Sequence, residues 1–140
     1  MTASKYNSEG YYDPTTYEAL SRIEREERAA RYRPLVYICS PYSHGCINTN
    51  IENARKYSRF AVDRHCLPIT PHIYFTQFMD DTVFEERETA LFMNFVLMSK
   101  CVELWVFGDT ISAGMKVEIE RAERKHMKIR YFTEELEEKE

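Results

Sequence analysis

No apolar stretch of this 140-residue sequence approaches the roughly 20 residues that a membrane-spanning helix needs, so no membrane partner is expected. Residues 1–10 are polar and lack the apolar core of a signal peptide, which makes the cytoplasm the expected compartment. Positive charge is not in excess. A net charge of -4 argues against a nucleic-acid polymer as partner, because such binders usually carry a basic face. The four cysteines (Cys39, Cys46, Cys66, Cys101) show no paired short spacing of the zinc-ribbon or redox kind, so a disulfide scaffold is not expected. Cys39 and Cys101 sit in or beside apolar runs and read as small buried residues, whereas Cys46, on a loop, is the candidate for reactivity. The histidines (His44, His65, His72, His126) are equally scattered, so neither a metal nor another cofactor is expected. Internal repeats and low-complexity segments are also missing.

What is present fits one globular domain: 44% hydrophobic and 30% charged residues, in a chain long enough for one core and too short for two. Residues 1–12 are polar, with tyrosines and no periodicity, and read as a loose arm. Pro14 and Thr15-x-x-Glu18 predict a helix start, with Thr15 in a capping box. The helix runs to about Tyr32, and Tyr17, Leu20 and Ile23 offer one apolar turn on an otherwise charged rod. It is either a solvent-exposed arm or an oligomer contact. Arg33-Pro34 marks a boundary.

Beyond it, short apolar runs alternate with amphipathic ones. Leu35–Cys39 reads as a buried strand, and a helix capped by Asn48, Thr49 or Asn50 follows, with Ile51, Ala54, Ser58, Ala61 and Val62 on one face. Residues 67–70 make a second strand, and residues 71–83 a loop rich in aromatics and acids. Tyr74, Phe75 and Phe78 there serve as core, as an interface or as a cover for a ligand. A helix over residues 84–100 carries Ala90, Leu91, Phe95 and Met98, and residues 102–107 form a third strand with the only tryptophan, Trp105. A helix from Ser112 to about His126 and a strand over Lys128–Phe132 complete the pattern. Strands alternating with helices predict right-handed βαβ units, hence an α/β domain with a mainly parallel sheet covered on both faces.

In such a sheet the ligand crevice lies at the carboxyl ends of the strands, where the winding reverses. With strand order 2-1-3-4, the loops meeting there are Ser40-Pro41-Tyr42-Ser43-His44-Gly45 and Gly108-Asp109-Thr110-Ile111-Ser112. In Ser112-x-Gly114-x-x-x-Glu118, Ser112 is a good helix N-cap beside free backbone N–H groups that suit an anion. Gly114 permits close approach, and Glu118 lies on the same face roughly 6 Å deeper along the axis. A phosphate at the helix end would place the C1′ of a nucleotide near this carboxylate. The same residues also describe an ordinary Ser-capped helix with solvated glutamates. Tyr37 is either plain core or a buried hydroxyl that takes Glu118 as its partner.

At these residues the sequence resembles the nucleoside 2-deoxyribosyltransferase-like superfamily, which includes deoxynucleoside 5′-monophosphate N-glycosidases. It resembles most a small branch found in bacteria and phages. The resemblance covers about residues 35–132 and rests on Tyr37-Ile38-Cys39-Ser40-Pro41-Tyr42, on Asn50-Ile51-Glu52-Asn53-Ala54, on Glu103-Leu104-Trp105-Val106-Phe107-Gly108, and on Ser112-Ala113-Gly114-Met115-Lys116-Val117-Glu118. It implies a three-layer flavodoxin-like α/β fold with a parallel sheet of four to five strands, spanning residues 33–132. Residues 1–32 then form an N-terminal helical arm, and residues 133–140 an acidic tail.

The implied chemistry is cleavage or exchange of an N-glycosidic bond, with a small nucleoside or nucleotide as partner. By position, Glu118 matches the nucleophile that attacks C1′, and Tyr37 the tyrosine that orients it. Ser40, Ser112 and Gly114 match positions that hold phosphate or sugar, while His44 and His72 are further candidates for contacts to base or phosphate. One departure stands out. The catalytic aspartate of the family falls near Asn94, whose amide cannot supply a proton. Asp80, Asp81, Glu85, Glu86 or Asp109 are the available substitutes. The alternative is therefore a nucleotide or nucleotide-sugar sensor without turnover. Because pockets of this superfamily are often completed by a neighbouring subunit, a homodimer or higher homo-oligomer is expected.

Overall fold

The computed structural model describes residues 14–140, so the loose arm expected over residues 1–12 lies outside the described residues. The chain divides into two compact units, one up to Arg33 and one from Pro34 onward. In the first, α1 spans Pro14–Ala30, braced by a Glu24–Arg28 pair one turn apart at 4.0 Å. The cap expected at Thr15 rests on a side chain outside the described ones. Leu20 and Ile23 are exposed.

The second unit is built on four parallel strands in the order β2-β1-β3-β4, with β1 Leu35–Cys39, β2 Leu67–Ile69, β3 Glu103–Phe107 and β4 Lys128–Phe132. Helices α2 (Ile47–Asp63), α3 (Pro71–Tyr74), α4 (Phe84–Met98) and α5 (Ala113–Arg124) connect them. Alternation along each central strand sorts the side chains into two cores. Val36 and Ile38 of β1 and Trp105 and Phe107 of β3 face one way, where they meet Tyr57 and Ala61 of α2. Tyr37 and Cys39, with Leu104 and Val106, face the other, where Met98 of α4 and Met115 and Ala122 of α5 pack. The result is a three-layer α/β fold with a parallel sheet, and it places Tyr37 on the same side of the sheet as α4 and α5. Rings fill the α2 side: Tyr57 stacks on Phe107 at 4.2 Å, Phe107 on Phe132 at 5.0 Å, and Phe60 meets Phe132 edge-on.

Three local expectations change. Helix α2 starts at Ile47 with Cys46 as a cap that makes no side-chain bond, so Asn48, Thr49 and Asn50 lie within its first turn. Asn50 instead donates to the Tyr42 and His44 carbonyls at 2.6 and 2.8 Å. The stretch after β2 is not all loop: Pro71 opens α3, and a 3₁₀ turn over Phe75–Gln77 follows. Tyr74 and Phe78 there are 61% and 60% exposed, so they do not serve as core. The acidic tail folds back along β4, with Lys139 N donating to Tyr131 O at 2.7 Å and Leu136 packed on the α2-side core. Arg130 grips Glu138 with two 2.7 Å bonds, which covers part of an otherwise open sheet edge. Among the described residues, no helix is long and apolar enough to cross a membrane.

Candidate functional site

The winding reverses between β1 and β3, and a cavity of about 690 Å³ opens there between the β1–α2 loop, α3, α4 and α5. Gly45, near the end of the first strand-end loop, and Gly108, at the start of the second, have φ of +84° and +94°, a conformation that side chains rarely adopt. The first loop contributes Ser40, Tyr42, Ser43 and His44 to the wall. Asn50 stands behind it as a brace through its two bonds to loop carbonyls, while Pro41 and Gly45 shape the loop without lining the cavity. Ser40 is buried, and its hydroxyl meets His72 Nε2 of α3 at 3.2 Å.

Burial pushes the His72 imidazole down to about 4, so it stays neutral. This has a measurable consequence for stability. A folded-state value below the unfolded one means that stability is present above pH 6.5 and is lost as pH falls through about 4. Replacing His72 by Gln should remove about 3 kcal/mol of that acid-induced loss, read by denaturant melts on both sides of the window. An unchanged acid limb would contradict it.

Helix α5 forms the opposite wall. Ser112 caps it, its hydroxyl accepting from Met115 N at 3.3 Å, while Met115 Sδ receives the Ser112 N–H at 3.5 Å. Met115 is buried, which anchors the first turn in the core. Ser112, Ala113 and Gly114 line the cavity, and a Cβ placed on Gly114 would meet nothing within 4 Å, so the space above it is free. One turn deeper lies Glu118. The residue keeps partial exposure toward the cavity, but its carboxyl is crowded by protein, and burial pushes it up to about 7 against a partly compensating hydrogen bond from Tyr37. Tyr37 is buried under it in β1, and burial followed by the charge of Glu118 holds its phenol well above the ordinary range. It therefore remains a donor. The same two causes push up the Cys39 thiol, whereas Cys46 is exposed and its thiol is lowered by hydrogen bonds with Thr49.

Helix α4 packs beside α5 and brings Asn94 into the cavity wall. Its Oδ1 is buried with no hydrogen-bond partner among the described residues. Of the carboxylates named as substitutes for an acid there, Asp81 lines the cavity. Asp80 is taken up by two bonds from Thr82 at 2.9 and 2.6 Å, and Glu86 accepts from Asp80 N at 3.3 Å. Glu85 lies away from the cavity. Gly108 and Asp109 also fall outside it; Lys139 from the folded-back tail donates to Gly108 O at 3.0 Å and pairs with Asp109 at 2.9 Å. Arg87, Glu88 and Leu91 of α4 and Phe75 and Thr76 beyond α3 line the cavity without having been singled out in the sequence. A signal for some of them existed. Arg87, Leu91 and Asn94 are spaced i, i+4, i+7 and so share one helix face.

With this geometry in view, a family model of a domain of unknown function, DUF7768, matches residues 34–132. The chain belongs to the DUF7768 family. No curated protein matches its sequence. In structure, the DUF7768 domain is similar to the 2-deoxyribosyltransferase of the psychrotolerant bacterium Bacillus psychrosaccharolyticus, with a TM-score of 0.59 and 14% identity. The superposition covers 71% of this chain and 72% of that one. At that identity the likeness establishes the fold. In the DUF7768 domain the cavity walls come from four separate segments, brought together by the parallel winding of the sheet.

Proposed function

We propose that this protein cleaves or transfers the N-glycosidic bond of a nucleoside or nucleoside 5′-monophosphate, with Glu118 as nucleophile. The observation that carries it is the Glu118–Tyr37 pair: a carboxyl facing a cavity at the switch point, hydrogen-bonded from below by a buried phenol. Carboxylates suit this chemistry because they capture an oxocarbenium-like C1′ as a covalent ester, which water or a second base then opens with net retention. Tyr37 holds the attacking oxygen in place, and a protein-lined cavity of about 690 Å³ suits a small nucleotide. Likeness in fold to a 2-deoxyribosyltransferase supports the same assignment.

The test is release of free base from a panel of nucleosides and their 5′-monophosphates, followed across pH. Only the ionised carboxyl attacks, so activity should rise with pH and reach half its maximum near the Glu118 value of about 7. Tyr37→Phe removes the hydrogen bond that lowers this value, so the midpoint should move upward. No base released from any compound, or a profile flat through pH 7, would reject the assignment.

Asn94 favours a second possibility, a nucleotide or nucleotide-sugar sensor that keeps the pocket and lacks turnover, because an amide donates no acid proton. Calorimetry separates the two: a sensor binds a nucleotide tightly and leaves it intact.

A further inference from the structure

An enzyme that breaks an N-glycosidic bond must deal with the base it expels. A neutral purine or pyrimidine leaves as an anion unless an acid protonates it, and such an acid contributes roughly 10²–10⁴-fold. Asn94 stands on the α4 wall of the cavity that Glu118 also lines, and its amide has no acidic proton to give. Its buried Oδ1 lacks a donor among the described residues, which costs about 1–3 kcal/mol. Asp81 and Glu88 are exposed, and Glu88 lies six residues toward the α4 N-terminus from Asn94, about 9 Å along the axis. Neither carboxylate occupies the position of Asn94.

The rest of the lining points the same way. It holds the carboxyls of Asp81, Glu88 and Glu118 against the single guanidinium of Arg87, with the rings of Tyr42 and Phe75 in the wall. His72 adds no charge. Such a cavity suits a flat cation. We propose that it is built for N-glycosides whose base is already positively charged, a pyridinium carboxamide nucleotide being the model, so that Glu118 displaces the base with no proton delivered to it. The proposal rests on Glu118 being the nucleophile, as set out above. The fixed positive charge answers the carboxylates, and the ring face offers cation–π contact to Tyr42 or Phe75. The carboxamide lies against the α4 wall that carries Asn94, and the phosphate meets the Ser112 end of α5.

The step balances without an acid. A Glu118 oxygen bonds to C1′, the C1′–N bond breaks, and its electron pair neutralises the ring nitrogen, so an uncharged pyridine departs. Water then attacks C1′, the Glu118 carboxylate is regenerated, and one proton passes to solvent. A bound cation also favours the ionised form of Glu118 at the moment it is needed.

The experiment incubates the full chain with nicotinamide mononucleotide, its 2′-deoxy analogue and the common deoxynucleoside 5′-monophosphates, and follows released base by chromatography. The better pyridinium substrate should exceed the best neutral-base substrate in kcat/KM by roughly 100-fold, the lower end of what a general acid contributes. Asn94→Asp restores an acid and should narrow that ratio at least roughly 10-fold. Preferential release from neutral-base nucleotides, lost in Glu118→Gln, would overturn the cationic-base proposal while leaving Glu118 as nucleophile. Release from neither class overturns both. An unchanged ratio in folded Asn94→Asp also overturns the proposal, and if that variant does not fold, the wild-type ratio decides.

Discussion

Glu118→Gln should lower base release on the order of 10⁶-fold in kcat/KM, the scale seen when a covalent nucleophile is removed from an otherwise intact site. Gln keeps the shape of the side chain and can still accept from the Tyr37 hydroxyl, so the cavity and its walls should persist. On the proposed mechanism, what it loses is the charge that would stabilise a developing oxocarbenium ion and the oxygen that would form the ester. Loss in kcat rather than in binding is the expected signature, because the interaction removed is made in the transition state. Base release that survives the substitution undiminished would remove Glu118 from the chemistry.

The same substitution should stabilise the fold at alkaline pH. The Glu118 carboxyl is raised from 4.5 to about 7 because burial penalises its charged form. A raised folded-state value means that the stabilisation is fully present below pH 4.5 and is lost as pH rises through about 7. Above that, the native chain carries a crowded carboxylate whose charge the unfolded chain holds in water. At about 1.4 kcal/mol for each tenfold in proton affinity, the difference comes to about 3 kcal/mol. Glu118→Gln avoids it, so denaturant melts at about pH 8 should show the variant more stable by that amount, with the advantage shrinking toward about pH 5. Equal stability at both pH values would mean that the carboxyl is better solvated than the packing around it indicates. Together the two outcomes describe a side chain kept for chemistry at the expense of stability.

Much of the framework is legible in local patterns. Leu35–Cys39 and Lys128–Phe132 have the same bounds in the sequence pattern and in the structure, because each is a short run of apolar and β-favouring residues ended by a clear break. Ser112 is recognisable as a cap since the residue type and the helical run that follows agree. The start of α2 is not, because three good capping residues stand together and the chain uses none of them. Asn50 satisfies loop carbonyls of the β1–α2 turn instead, a demand set by the folded loop. Gly108 and Asp109 lie in the right loop by topology, yet Lys139 from the far end of the chain claims both.

By itself, the order of apolar runs and helix signals determined an α/β chain with parallel strands; the ends of β1 and β3 followed as the place to look for a ligand only on an assumed strand order, which the structure supplied. Which side chains face that crevice was decided by tertiary structure. Strand alternation turns Tyr37 toward α5 and the side neighbour Ile38 toward α2, and only the packing of β1 under α5 sets that phenol against Glu118. Arg87 and Glu88 enter the wall, and Asn94 is left with an unmet carbonyl, because α4 docks beside α5. The reason is physical: propensity and periodicity act within a few residues, whereas burial, charge and hydrogen-bond partnership at a site are set by segments far apart in the chain.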